Sequence, residues 1–314
     1  LMAIDKNFID KFVNITSKAA LASSYLVGKK DKISADKAAV DSMRSELNNL
    51  EMKGQIVIGE GELDEAPMLY IGEKLGTKNG PEFDIAVDPL EGTNFAANNL
   101  PGALSVIAIS AKLNLFNAPE TYMNKISANV KEKDVIDLDF SIKDNIYNLS
   151  EYKNTKPNNL TVCILDRPRH KEIINNLKNL GVKLKLISDG DISGALLVTE
   201  EKYKVDLFLG IGGGPEGVLA ASALDAFDCF FQGKFLFKTN DDKERAIKMG
   251  IKNLDKKYNL DEIISGDSIF CATGITSGDL VSGIEITNDE FISETLITHK
   301  ATGLKKKVKT KDKI

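Results

Sequence analysis

The tightest constraint on the fold lies in residues 160–227, where apolar strands and amphipathic helices alternate without a break. "LTVCILD" reads as a strand, "HKEIINNLKNLG" as a helix closed by Gly181, and "VKLKLIS" as another strand. "ISGALLVTE", "VDLFLGIGG" and "PEGVLAASALDAF" then repeat helix, strand and helix. Such a chain covers sheet strands with helices, so an α/β lobe is expected. Upstream, Phe8, Phe12, Ile15, Ala19, Ala22 and Leu26 recur at helical spacing, which predicts a helix over 7–27. A second helix is expected from a Ser34 cap to about Leu50, followed by buried strands at 56–58, 85–89 and 103–110. The polar segment "YKNTKPNNL" (152–160) reads as a hinge, dividing the chain into lobes 1–155 and 156–314. The basic ending "LKKKVKTKDKI" reads as a solvated or frayed terminus.

Charge and composition narrow the function. The chain has 41 basic and 46 acidic residues, a formal charge of -5, which argues against a dedicated nucleic-acid binder. No segment approaches the roughly 20 apolar residues of a membrane span. Three dispersed cysteines and two histidines exclude a zinc cluster or a His-rich centre, so any metal must rest on oxygen donors. Buried thiols fit a reducing compartment, and the cytoplasm is expected.

The chemistry gathers where apolar segments end. Asp36 lies in "KISAD", Glu60, Glu62 and Asp64 in "GEGELD", Asp88 and Glu91 in "DPLEGT", and Glu216 in "GGGPEG". One such acid is ordinarily a turn or cap residue. Several converging acids repel, by about 4 kcal/mol for a pair ~4 Å apart at an effective dielectric near 20. Mg²⁺ or Mn²⁺ is the natural compensator. In "FDIAVDPLEGTN", Pro89 is expected to end the strand, Gly92 to admit a ligand near the backbone, and Thr93 to stand at a helix start that favours phosphate. A capped turn accounts for the same residues without a ligand. "GIGGGPEG" lacks the G-x-G-x-x-G order, and Glu216 would repel a pyrophosphate, so a dinucleotide site is rejected.

"DPLEGT" resembles the D-P-[IL]-[DE]-G-T signature of the lithium-sensitive, metal-dependent sugar phosphatases. "DKISADKAAV", "IVIGEGELDEAPMLYIGEKLG", "NAPETYM", "RPRH", "SDGDISGAL", "GIGGGPEGV" and "ATGITSGDLVSGI" extend the likeness from about residue 8 to 300. In order and spacing they resemble the bacterial class II fructose-1,6-bisphosphatases. The resemblance implies a two-lobed, layered α-β-α-β-α sugar phosphatase fold. It implies hydrolysis of the 1-phosphate of fructose 1,6-bisphosphate, with two or more Mn²⁺ or Mg²⁺ ions, in a homo-oligomer (dimer or tetramer).

By the same resemblance the metal ligands are Asp36, Glu60, Asp88, Glu91 and Glu216, with Glu62 and Asp64 as supporting acids. Thr93, Asp36, Glu60 and Asp64 are the catalytic group, Thr93 positioning the attacking water or acting on phosphorus itself. Glu91, Gly92 and Thr93 face the phosphate being removed. Tyr122, Arg167, Pro168, Arg169, Asp189, Gly190, Asp191 and Gly213 complete the substrate site, with Arg167 and Arg169 gripping a second phosphate. Without a ligand, Tyr122 is plain packing, Arg169 pairs with Asp166 or Asp189, and Lys32 is a solvated loop charge. His170 and His299 are expected to be structural. The alternatives are a dual fructose-1,6-/sedoheptulose-1,7-bisphosphatase, an inositol-type monophosphatase, and a sugar-phosphate sensor without turnover.

Overall fold

The computed structural model describes residues 3–61 and 68–314 and divides the chain into two compact units, each built on one sheet. The first unit comprises Leu1–Asn117 and Ile264–Ile314, the second Ala118–Ile263.

The first unit opens with α1 (Asn7–Ser24) and α2 (Lys32–Asn48), which pack together and onto the sheet. β1 (Lys53–Ile58), β2 (Lys74–Leu75), β3 (Glu82–Glu91), the short α3 (Thr93–Ala97) and β4 (Leu104–Ala111) follow. Phe8 and Phe12 anchor α1, the Phe8 ring standing edge-on to Phe83 at 5.1 Å, with Ile15 and Ala19 in the same core. That edge-to-face geometry is the preferred one for aromatic pairs. The buried hydroxyl of Thr16 accepts from Thr273 at 2.8 Å, and that of Ser17 from Ser293 at 2.9 Å, so the polar positions of α1 are satisfied by the sheet. Asp31, rather than Ser34, caps α2: its carboxylate accepts the Ser34 N–H at 3.0 Å and the Ser34 hydroxyl at 2.7 Å.

The second unit runs β5 (Tyr122–Ala128), α4 (Ile142–Tyr152), β6 (Thr161–Leu165), α5 (Lys171–Asn179), β7 (Lys183–Ile187) and α6 (Asp191–Leu196). It continues with β8 (Leu207–Gly213), α7 (Gly214–Ala226), β9 (Phe230–Leu236), α8 (Asn240–Lys248), β10 (Lys257–Asn259) and α9 (Leu260–Ile263). Its sheet has the order β10-β9-β5-β8-β6-β7, with β6 parallel to β7 and β8, and β5 antiparallel to β8 and β9. Side chains alternate across a strand. On β5 this puts Ile126 into the core it shares with Ile146, Leu149, Ile174 and Leu177 of α4 and α5. Met123 and Lys125, of the other parity, lie against Gly217 of α7, and Ser127 donates to the Ala195 carbonyl of α6.

The chain then returns to the first unit through β11 (Ser268–Gly274), β12 (Glu285–Thr287), β13 (Glu290–His299) and β14 (Leu304–Lys313). Its sheet is ordered β12-β13-β11-β4-β3-β1-β2, with β14 also on β13. β1 and β3 are parallel neighbours, while the β3–β4, β4–β11, β11–β13 and β13–β14 pairs are antiparallel. The mixed α/β class matches expectation.

Four expectations are corrected. The division near residue 155 is replaced by a nested one: β5 joins the second sheet, and β11 to β14 join the first through the β11–β4 ladder. The polar hinge segment holds only the end of α4 and a single 3-10 turn at Pro157–Asn159. The basic C-terminus is not frayed, since β14 pairs with β13 from Leu304↔His299 to Lys313↔Glu290. Lysines are at home there, because charge on an outer strand discourages pairing with other chains. Nor does Pro89 stop its strand: β3 continues to Glu91, and the ladder to β4 shifts register between Asp88 and Glu91, where proline has no N–H to give.

Candidate active site

In the first unit three of the expected acids follow paired strands or sit on a packed helix. Ile58 of β1 pairs with Ala86 of β3, and two residues further along each chain come Glu60 and Asp88. Asp36 sits in the second turn of α2, which packs on β3 and α3; burial raises its carboxyl above the usual range. Asp84, at the other end of "DIAVD", has a different task. It is buried and accepts the Leu115 N–H at 3.4 Å; burial raises its carboxyl, opposed by N–H donors from residues 113–115. One acid of that stretch therefore pins the loop that follows β4.

Gly92 is the N-cap of α3 and takes a left-handed conformation (φ 77°), and a Cβ there would come within 2.7 Å of the Phe95 ring. Thr93 is the first helical residue, partly exposed, and no side chain caps that turn. Glu91 is buried at the strand's end. Lys32 is exposed at the start of α2. Glu62 and Asp64 lie outside the described residues. Among the described residues no group of three or more His, Cys, Asp or Glu is gathered to hold a metal ion, so the full convergence expected of the acids is not displayed.

In the second unit a buried cation organises the acids. Lys125, 2% exposed on β5, forms an ion pair with Asp191 and donates to the Gly213 carbonyl at 2.7 Å. Asp191, expected to meet sugar hydroxyls, has its Oδ2 engaged by Lys125. Its carboxylate also lies against Gly212 and that of Glu216 against Gly213, where a Cβ would be 2.1 Å and 1.8 Å from the respective oxygens. A side chain at either position would push the neighbouring carboxylate aside. Burial pushes the Glu216 carboxyl up, Lys125 opposes, and Asp191 and Asp189 add to the rise. Gly190, left-handed at φ 85°, caps α6, and its N–H donates to Asp189 at 3.0 Å.

"RPRH" follows β6 as a 3-10 turn, Pro168–His170, with Arg167 as its N-cap. Arg169 is exposed. Its Nε donates to the Ile211 carbonyl at 2.9 Å, and its guanidinium lies 5.0 Å from the centre of the Tyr122 ring. Lys238 stands over the same ring at 4.5 Å. Tyr122 is 37% exposed, so it is a cation-bearing platform rather than core packing. A cavity of ≈ 390 Å³ is lined by Tyr122, Gly213, Pro215, Glu216 and Lys238 among others.

Both histidines are buried, as expected of structural residues. His299 bonds Asp267 at 2.8 Å, and Asp267 also accepts the Ile4 N–H at 2.7 Å. Lys125 and Lys238 were missed from sequence. The only signal for Lys125 was a lone lysine inside the strand-like run "YMNKISA"; Lys238, exposed beside a helix cap, gave none.

Comparison with known proteins places the chain. Residues 6–312 match the family model described as bacterial fructose-1,6-bisphosphatase, glpX-encoded. A Prochlorococcus marinus (strain MIT 9301) protein named D-fructose 1,6-bisphosphatase class 2/sedoheptulose 1,7-bisphosphatase is 41% identical over 308 residues, covering 94% of this chain and 92% of its own. A Synechocystis protein of the same name is 39% identical over 312 residues, covering 91% and 90%. The chain belongs to the family of bacterial, glpX-encoded fructose-1,6-bisphosphatases. Among solved structures, an inositol monophosphatase from Anabaena is 14% identical with a TM-score of 0.32, covering 62% of this chain and 71% of its own, too low a score to carry an inference.

Proposed function

We propose that the chain hydrolyses the 1-phosphate of fructose 1,6-bisphosphate, giving fructose 6-phosphate and phosphate. The observation that carries this is the unbroken family match from residue 6 to 312.

Divalent ions, Mn²⁺ or Mg²⁺, two or more, are assigned to Asp36, Glu60, Asp88 and Glu91 in the first unit and to Glu216 in the second. The donor chemistry fits, since every candidate is a hard carboxylate oxygen. Burial raising Asp36 and Glu216 marks carboxyls whose charge lacks full compensation. When bound, such ions polarise the phosphoryl group and acidify a water.

The chain's own residues do the rest. The N–H groups at Gly92 and Thr93, at an uncapped helix start, favour the phosphate being removed. Thr93 orients the water whose oxygen bonds phosphorus as the bond to the C1 oxygen breaks. Asp36 or Glu60 takes the water's proton. Asp64 is kept as a supporting acid. Arg167 and Arg169, with Tyr122 and Pro168, hold the second phosphate, while Asp189, Gly190, Asp191 and Gly213 line the sugar site. A cytoplasmic homo-oligomer is proposed with it; for location the support is the low cysteine content and the lack, among the described residues, of a helix long and apolar enough to cross a membrane.

The double name of the relatives favours a second reading, activity on sedoheptulose 1,7-bisphosphate as well. A panel of sugar bisphosphates, sugar monophosphates and inositol phosphate, each with Mn²⁺ and Mg²⁺, tests both. Fructose 1,6-bisphosphate should be cleaved with the highest kcat/KM or share it with the seven-carbon bisphosphate. Preference for inositol phosphate would overturn the assignment.

A further inference from the structure

We propose that His170 is a positioning residue that sets the grip on the second phosphate by clamping Arg169 to β8; this rests on the second-phosphate role given above to Arg169. β6 follows β8 only through Val162↔Leu207 and Cys163↔Phe208. Beyond that, Ile211 is served by side chains: His170 Nε2 accepts its N–H at 2.8 Å and Arg169 Nε donates to its carbonyl at 2.9 Å. Two consecutive side chains of "RPRH" thus stand in for a neighbouring strand.

The imidazole is fixed at both nitrogens. Nδ1 lies 2.7 Å from the Leu165 carbonyl, which can only accept, so Nδ1 carries the proton and Nε2 is the acceptor. The ring is wholly buried, and Gly210 makes room for it: a Cβ there would stand 3.2 Å from both Cε1 and Nε2. Burial and neighbouring Arg169 hold the imidazole below its ordinary pKa, against Asp191 and the bonds to Leu165 and Ile211, which favours this neutral form. The consequence is directional. Arg169 follows a proline, precedes the clamped ring, and is held where its guanidinium meets Tyr122. Without the clamp the fork is free to leave the ring, and an ordered cation becomes a mobile one.

The test is affinity for fructose 6-phosphate, which carries only the remote phosphate, against affinity for inorganic phosphate, by calorimetry with Mn²⁺ present. His170→Asn keeps a donor for Leu165 but cannot reach Ile211, whereas His170→Gln can present an acceptor there. His170→Asn should weaken fructose 6-phosphate about tenfold and inorganic phosphate less than twofold, with His170→Gln recovering most of the loss. In an Arg169→Met background His170→Asn should cost nothing further, the mark of a residue acting through its neighbour. A lower melting temperature with unchanged fructose 6-phosphate affinity would reduce His170 to a structural role and overturn the proposal, as would an equal loss in both backgrounds. If Arg169→Met alone binds fructose 6-phosphate like wild type, the second-phosphate role fails and this proposal with it.

Discussion

Asp191 of the second unit has its counter-ion inside the chain, in the buried ammonium of Lys125, whereas Asp36 of the first has no such partner among the described residues. Asp191 opens its helix in "SDGD", and Asp36 lies in the second turn of its own in "KISAD". In one case the sequence supplies the positive charge; in the other burial raises the carboxyl, and only a proton or an external cation balances it. The contrast separates an acid neutralised within its own unit from one whose burial is left uncompensated.

The sharpest break of that contrast is Asp88→Asn, which should lower kcat roughly 10³-fold or more, beyond the 10–100-fold typical of outer-shell partners. Its melting in chelator should match wild type. Lys125→Met strikes the other side: a lone buried carboxylate should cost about 3–5 kcal/mol in chemical denaturation, and Lys125→Met/Asp191→Asn should recover a good part of it. Arg169→Met should raise KM for the bisphosphate roughly 10–100-fold, as loss of a charge-assisted contact implies. Lys238→Met, on the same ring but exposed, should raise it only a few-fold.

Acidity gives a finer comparison. A carboxyl with a raised pKa holds more protons folded than unfolded between its two pKa values. For Asp36 and Glu216, stability is therefore fullest below the ordinary values of 3.8 and 4.5 and falls as pH rises toward the raised ones. Mn²⁺ should replace the lost proton. Thermal melts should show the metal's stabilisation growing with pH across that window, reaching about 2.7 kcal/mol at 100 times Kd. Stabilisation that shrinks with rising pH would contradict the assignment of these acids.

Much of the fold was legible where strand and helix signals are local. β6, α5, β7, β8 and α7 fall where alternation predicts them, because the pattern of apolar residues marks each one locally. What escaped depends on distant partners. β14 reads as a charged tail, and only its ten-residue ladder with β13 makes it a strand. The unit boundary was hidden because β5 and β11 are committed by pairing across long separations, while the polar segment at 152–160 merely surrounds a turn. At the site, residue types were legible and their pairings were not: "SDGD" announces acids, but nothing local says that Lys125, sixty-six residues away, will bond Asp191.

Phosphate release from fructose 1,6-bisphosphate by chelator-stripped protein, as Mn²⁺ is added back, tests the central claim most directly. Turnover should be abolished by stripping, return as the metal is restored, and be missing at every Mn²⁺ concentration in Asp88→Asn. Undiminished turnover in the stripped protein, or full recovery in the variant, would contradict it.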